Sequence, residues 1–224
     1  MALSLPPGEP AAGPWRRQPV ETLARQLAST AAAGRRTQVV AVDGRGGSGK
    51  STLAAQLHAV TARSAVVHTD DVAWHHSFFD WADILAEHVL EPLRAGRAVR
   101  YRPPGWEARQ RGGAIEVPGG LDLVIVEGVG ASQRGLLGLL DGIVWVQSDF
   151  VEAERRGIAR DVAAGENGDA AEVHRFWHEW MAQELPFLAE QRPWERATVI
   201  VRGTSAFPQH PAHVMTATPP APAA

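Results

Sequence analysis

Residues 38–52 read Gln38-Val39-Val40-Ala41-Val42-Asp43-Gly44-Arg45-Gly46-Gly47-Ser48-Gly49-Lys50-Ser51-Thr52. A β-branched run ends on four glycines within six positions, and a helical pattern over Thr52–Thr61 follows at once. The segment Gly44–Ser51 fits G-x-x-x-x-G-K-[ST], the loop that cradles phosphates. Glycines let successive backbone N–H groups turn inward on an anion, and the helix that begins there adds its positive end. Lys50 is the only lysine in the chain. A compact ammonium lies along such a cradle where a planar guanidinium is too wide. Gly44, Gly46, Gly47, Ser48, Gly49, Lys50, Ser51 and Thr52 are therefore candidate nucleotide-binding residues, with Lys50 on the β- and γ-phosphates and the Ser51 hydroxyl on magnesium. A rival pattern is nested here. Gly44-x-Gly46-x-x-Gly49, with Asp70 about twenty residues on, also fits the dinucleotide fingerprint, but that leaves Lys50-Ser51 without a role.

Outward from the loop, apolar runs alternate with helical patterns. Strands are expected at Gln38–Asp43, Ala65–His68, Leu121–Val126, Gly142–Val146 and Ala197–Val201. Helices are expected at Val20–Ala33, Thr52–Thr61, Trp81–Ala95, Val151–Ala164 and Ala171–Glu190, with a loop or hairpin over Tyr101–Gly120. This alternation predicts an α/β three-layer sandwich of the P-loop type, a five-stranded parallel sheet with helices on both faces. Ligands of such sheets bind outside the strand C-terminal ends. Asp43, Asp70, Glu127 and Gln147 fall there and are expected to gather on that edge. Residues 1–18 and 208–224, rich in Pro, Gly and Ala, read as disordered tails around a domain of residues 19–207.

Composition narrows the function classes. The chain of 224 residues has no cysteine, which removes disulfides, zinc–cysteine sites and thiol nucleophiles. A net charge of −3 gives no general pull toward nucleic acid or membrane. No apolar run reaches spanning length, so a cytoplasmic protein is the expectation. Homo-oligomerisation is left open.

The acidic residues supply the remaining chemistry. Glu127 ends an apolar strand and, beside a phosphate loop, is the expected magnesium ligand. Asp70 and Asp71 close the second strand. A kinase acting on an alcohol needs a carboxylate to take the hydroxyl proton; Asp70 is the first candidate and Asp71 the second. Asp71 is also a candidate magnesium ligand or a helix N-cap. Arg155, Arg156 and Arg160 follow the fourth strand. Spacing puts Arg156 and Arg160 on one helix face, where guanidinium groups can close over a γ-phosphate; an exposed basic face is the alternative. Trp74, Phe78, Phe79, Tyr101 and Trp106 could stack on a base or pack the core. Arg109 or Arg111 could hold an acceptor, and His75-His76 could touch one. His174 and His178 have the spacing of two metal ligands without an evident third. Trp177 and Trp180 read as the buried face of their helix.

Val40–Ala54, Asp70-Asp71, Val124–Gly128 and Arg155-Arg156…Arg160-Asp161, in that order, resemble the uridine kinase and phosphoribulokinase families over residues 38–203. The resemblance implies an ATP- or GTP-dependent, magnesium-dependent kinase for a nucleoside hydroxyl. It implies Asp70 as base, Ser51 and Glu127 at the metal, and Arg155, Arg156 and Arg160 in a lid. Val72 and Ala73 stand where the family carries aromatics, and Ala163-Ala164-Gly165-Glu166 lacks the family's further lid arginine. Another metabolite alcohol (a sugar phosphate or a pantothenate-like compound) as acceptor, or a nucleotide-binding regulatory role, are the alternatives.

Overall fold

The computed structural model describes residues 2–30, 37–165, 168–204 and 212–220. The chain enters the sheet at β1 (Arg16–Pro19) and turns into α1 (Val20–Ala28), which buries Val20, Leu23 and Leu27 at helical spacing. β2 (Gln38–Gly44) is buried at every position, as a central strand covered on both faces must be. The phosphate loop and α2 (Lys50–Val60) follow, then β3 (Ser64–His68) and the short α3 (Thr69–Ala73).

A helical stretch comes next: α4 (Ala82–Leu85), a π-turn over Ala86–Leu90, and α5 (Glu91–Arg94). Pro92 has no N–H to give the preceding turn, and the helix widens just before it. β4 (Val99–Tyr101) and β5 (Ile115–Val117) form an antiparallel pair around α6 (Pro104–Ala108). The buried strands β6 (Leu123–Glu127) and β7 (Gly142–Gln147) lead to α7 (Phe150–Ala164) and α8 (Ala170–Gln191). Asp169 caps α8 in a capping box with Glu172. β8 (Val199–Arg202) and β9 (His213–Ala217) complete the sheet.

The main sheet runs β1-β9-β8-β7-β2-β6-β3. It holds seven strands where five were expected. The five expected strands are the parallel set β3, β6, β2, β7 and β8. The other two come from segments read as tails: β9 runs antiparallel to β8, and β1 pairs with β9, Arg16 opposite Thr216. The leading helix ends at Ala28, with Ser29 as its C-cap, short of the expected Ala33; residues 31–33, Glu166 and residues 208–211 and 221–224 lie outside the described residues. β3 is the outer strand on the far side, paired only with β6.

Side-chain alternation splits the core. Val40, Val42, Ile125, Val144 and Val146 pack against α1 and α2. Val39, Ala41, Val124 and Val126 face Leu85, Val89, Leu90 and Leu93 of the α4–α5 stretch. Trp145 and Ile200 meet Leu188 and Trp194 in a third cluster. From β2 the chain goes outward to β3, returns to β6, and then crosses to β7 on the other side of β2. The order therefore reverses at β2, and the crevice outside its C-terminal end is where such sheets bind ligands. No described helix is long and apolar enough to cross a membrane.

Candidate active site

The phosphate loop fills that crevice. Gly49, at φ 101°, starts α2. Gly47 has φ 68°, and a Cβ there would lie 2.0 Å from the Ala153 carbonyl oxygen, so the loop can press against α7 only with glycine at this position. Lys50 is buried, and its Nζ donates to the Arg45 carbonyl at 2.8 Å, which lays the ammonium across the loop. Ser51 and Thr52 are exposed at the helix N-terminus.

Two strand ends meet beside Ser51. The Ser51 hydroxyl donates to Glu127 Oε1 at 3.2 Å, and His68 Nδ1 lies 2.7 Å from Glu127 Oε2. Gly128, at φ 151°, lets β6 end against α3; a Cβ there would fall 1.7 Å from Thr69 Oγ1. Burial pushes the Glu127 carboxyl up, but the His68 hydrogen bond, the Lys50 charge and the Ser51 hydrogen bond hold it below its ordinary value. The Glu127 hydrogen bond raises His68 above the usual imidazole range against the effect of burial, helped by the charges of Asp71 and Asp70. A hydroxyl and a carboxylate are hard oxygen donors of the kind magnesium takes. Among the described residues no group of three His, Asp or Glu forms a self-sufficient metal site.

Asp70 lies in the same electrostatic neighbourhood. Asp70 is exposed to solvent, yet the desolvation of its surroundings raises its carboxyl; Lys50, Arg160 and His68 pull the other way, while Glu127 adds to the rise. Asp71 turns elsewhere. It accepts from Arg111 at 3.0 Å, and its carbonyl accepts from Trp106 Nε1 at 2.7 Å. The Arg111 guanidinium lies 3.6 Å from the Trp106 ring centre and 5.1 Å from that of Trp74. The loop between β4 and β5 is thus tied directly to the Asp70–Asp71 turn.

The three arginines of α7 separate. Arg160 pairs with Asp161 at 2.8 Å and acts on Asp70. Arg156 donates to the Gly203 carbonyl at 3.1 Å and to Thr204 Oγ1 at 3.2 Å, pinning the turn after β8. Arg155 is bound to Glu152 on the exposed side. Among the aromatics, Trp106 is buried, Tyr101 stacks on His88, and Phe79 stacks on Phe187 with centroids 4.0 Å apart. Phe78 is exposed and meets Trp180 edge-on. Arg109, His75 and His76 are exposed. His178 pairs with Glu154 at 3.4 Å, and Trp177 is buried as its helix pattern predicts.

Three buried acids support the loop. Asp43, read only as a strand-end acid, accepts from Gly44 N–H at 2.7 Å, Gly130 N–H at 3.0 Å, Ser132 N–H at 2.9 Å and Ser132 Oγ at 2.6 Å. It joins the start of the phosphate loop to the turn after β6. Glu9 and Glu184 were not identified from the sequence. Glu184, fully buried on α8, accepts from the Gly46 N–H at 2.9 Å and from Trp180 Nε1 at 2.8 Å. Glu9 accepts from Arg45 at 3.2 Å, Trp145 at 2.8 Å and Gln147 at 3.0 Å. A buried acid 36 residues from its arginine leaves no local signal; the only hint was the one long side chain in a glycine loop.

The fold is that of the P-loop kinases. The chain is similar to the solved structure named "putative fructose transport system kinase" from Silicibacter sp. TM1040, at 20% identity and TM-score 0.52, over 70% of this chain and 93% of that one. It also matches "a Possible Uridine Kinase" from Bacillus stearothermophilus (18% identity, TM-score 0.47, 81% and 96% covered). A Thermus thermophilus protein matches at 21% identity and TM-score 0.42, with 77% and 91% covered. No protein-family model matches the chain, and no curated protein does.

Proposed function

We propose that the chain is a magnesium-dependent kinase that moves the γ-phosphate of ATP or GTP to the hydroxyl of a small molecule, with a nucleoside as the leading acceptor. The observation that carries this is the Ser51–Glu127 hydrogen bond of 3.2 Å at the mouth of the phosphate loop. It couples the loop hydroxyl to a strand-end carboxylate, the two oxygens that would hold a magnesium ion serving the triphosphate. The ion supplies charge neutralisation on the transferring group. The chain's residues do the rest. The loop amides and Lys50 bind the triphosphate, and Arg160 adds positive charge beside it. Asp70 accepts the proton of the acceptor hydroxyl as its oxygen attacks the γ-phosphorus. The bond to the bridging oxygen of the departing nucleoside diphosphate breaks, leaving a phosphate ester. The Asp70 carboxyl is open to an incoming hydroxyl and is raised by the desolvation of its surroundings, which suits it to hold that proton.

The acceptor side is supported by Trp74, Trp106, Arg111 and Asp71, a cluster of flat and charged groups next to the base. Trp106 is buried beneath Arg111, so the partly exposed Trp74 and Arg111 are the groups that a planar, hydroxyl-bearing acceptor would meet. The dinucleotide alternative gives no part in ligand binding to Lys50 and Ser51, which bond the Arg45 carbonyl and Glu127.

The test is a screen of purified protein with ATP or GTP and magnesium against nucleosides, sugars, sugar phosphates and pantothenate-like alcohols, reading nucleoside diphosphate release. Acceptor-stimulated release identifies the substrate class. Tight nucleotide binding that no acceptor turns into release favours a regulatory nucleotide-binding role and sinks the transferase.

A further inference from the structure

Between Gly44 and Gly49 the phosphate loop has one long side chain, Arg45, and it points away from the crevice into a buried site. Two carboxylates hold it there. Glu9 Oε2 accepts from Arg45 Nε and from a terminal nitrogen, both at 3.2 Å, and Glu184 Oε1 stands 3.7 Å from the other terminal nitrogen. All three side chains are almost wholly shielded from solvent: 5% exposed for Arg45, 1% for Glu9 and 0% for Glu184. Glu184 also holds the loop backbone itself through the Gly46 N–H.

Glu9 is fixed in turn. Trp145 and Gln147, both on β7, donate to its Oε1, and Gln147 also bonds the Pro10 carbonyl and the Ala12 N–H. At the start of the same segment, Ser4 N–H donates to Asp149, and Phe150 N–H donates to the Ser4 carbonyl. Residues 4–12 are therefore laid across the end of β7 and the start of α7.

A loop made mostly of glycine has many backbone states to lose when it closes on a phosphate. Binding gains when those states are removed beforehand. Arg45 is the only handle by which the first half of this loop can be gripped through a side chain, and it is gripped from both sides.

We propose that Glu9 and Glu184 are positioning residues for nucleotide binding: acting through Arg45 and the Gly46 N–H, they hold the phosphate loop in its cradle shape, so that residues 4–12 are a working part of the nucleotide site. This rests on the reading of the loop as a nucleotide site.

The experiment measures the dissociation constant of ADP by calorimetry, with thermal unfolding of the nucleotide-free protein alongside, for wild type, Glu9→Ala, Glu9→Gln, Arg45→Met and Glu9→Ala/Arg45→Met. Leu23→Ala, a core truncation on α1, calibrates what lost stability alone does to affinity. Each single change at Glu9 or Arg45 is expected to weaken ADP about tenfold, the scale of lost preorganisation. The double variant is expected to be no weaker than Arg45→Met, because both changes remove the same grip. Leu23→Ala is expected to lower the melting temperature and leave affinity unchanged. Affinity within twofold of wild type in folded Glu9→Ala or Glu9→Gln, or losses that multiply in the double variant, overturns the proposal. Should the double variant not fold, Glu9→Gln, which keeps the volume of the side chain, decides alone. Wild-type protein that binds no nucleotide refutes the nucleotide site and this inference together; wild-type binding with unaffected variants refutes the inference only.

Discussion

His68 and Glu127 are register partners on adjacent parallel strands, and their side chains meet at 2.7 Å between Nδ1 and Oε2. The contact leaves Glu127 Oε1 for Ser51. His68 thus orients the carboxylate proposed to bind magnesium without needing to touch the ion. Partners of this kind commonly change metal affinity ten- to a hundredfold. His68→Ala is expected to raise the magnesium concentration for half-maximal turnover about tenfold, while the nucleotide affinity measured in EDTA stays near wild type. A magnesium titration at saturating nucleotide checks this; an unchanged midpoint removes His68 from the site.

Asp70, exposed at the rim of the site, feels the charges of Lys50 and Arg160, and the desolvation of its surroundings raises its carboxyl. Asp70→Asn keeps the shape and removes the proposed base. Turnover is expected to fall at least a hundredfold, as loss of a general base commonly costs ~10²–10⁴, with ATP affinity nearly intact. Retained wild-type turnover would mean that another group takes the proton.

Lys50 Nζ reaches the Arg45 carbonyl from a buried position. Lys50→Arg conserves the charge but brings a planar group wider than the space along the loop. The expected result is a loss of about 10²–10³ in kcat, the scale of removing one transition-state donor. An unchanged single-turnover rate refutes the fit argument.

Asp43 satisfies four donors from a position 1% exposed. Asp43→Ala strands those donors, each at a cost of about 1–3 kcal/mol before relaxation and water entry. A net loss of about 3 kcal/mol lowers the melting temperature by about 6–12 °C for a domain of this size. Asp43→Asn is expected to recover only part of the loss, since its amide faces the Ser132 N–H. Equal melting temperatures for wild type and Asp43→Ala would show that the turn after β6 does not depend on this carboxylate.

Glu184 gives a pH signature. Burial raises its carboxyl above the ordinary value of 4.5, opposed by the Gly46 N–H, Lys50, Trp180 and Arg45. The folded state therefore holds this proton more tightly than the unfolded chain does. Its contribution to stability is complete below the unfolded carboxylate value and is lost as pH rises through the raised folded value. Glu184→Gln removes that titration. The variant's melting temperature is expected to gain on wild type as pH rises above that of an ordinary carboxylate. Parallel profiles for the two proteins between pH 4 and pH 8 would show that Glu184 does not titrate there.

The parts of the molecule legible in the sequence are those whose signal is local. Gly44–Ser51 announces itself because adjacent residues share one task. The five parallel strands are apolar runs; Glu127 ends β6, and Asp70 lies two residues past β3. β1 was hidden because Arg16-Arg17-Gln18-Pro19 is an outer strand with little to bury. Its partner β9 sat within a proline-rich end and shows an apolar pattern only once it has a neighbour. The roles of Glu9, Arg45 and Glu184 depend on contacts 36 and 138 residues apart in the chain, and no spacing rule reaches that far. Arg156 looked like a lid residue by position; that it holds Gly203 and Thr204 follows from where β8 ends.

The placement of β3 at the margin of the sheet divides the molecule's freedom to change. β2 and β6, which deliver the phosphate loop and Glu127, are clasped by neighbours on both sides, so any shift in one must be matched by two others. β3, which delivers Asp70, answers to a single neighbour. Evolution can re-aim that margin, together with the hairpin tied to it through Asp71 and Arg111, while leaving the triphosphate half untouched. Under the proposed function, a lineage built on this plan can trade one alcohol for another by editing its rim.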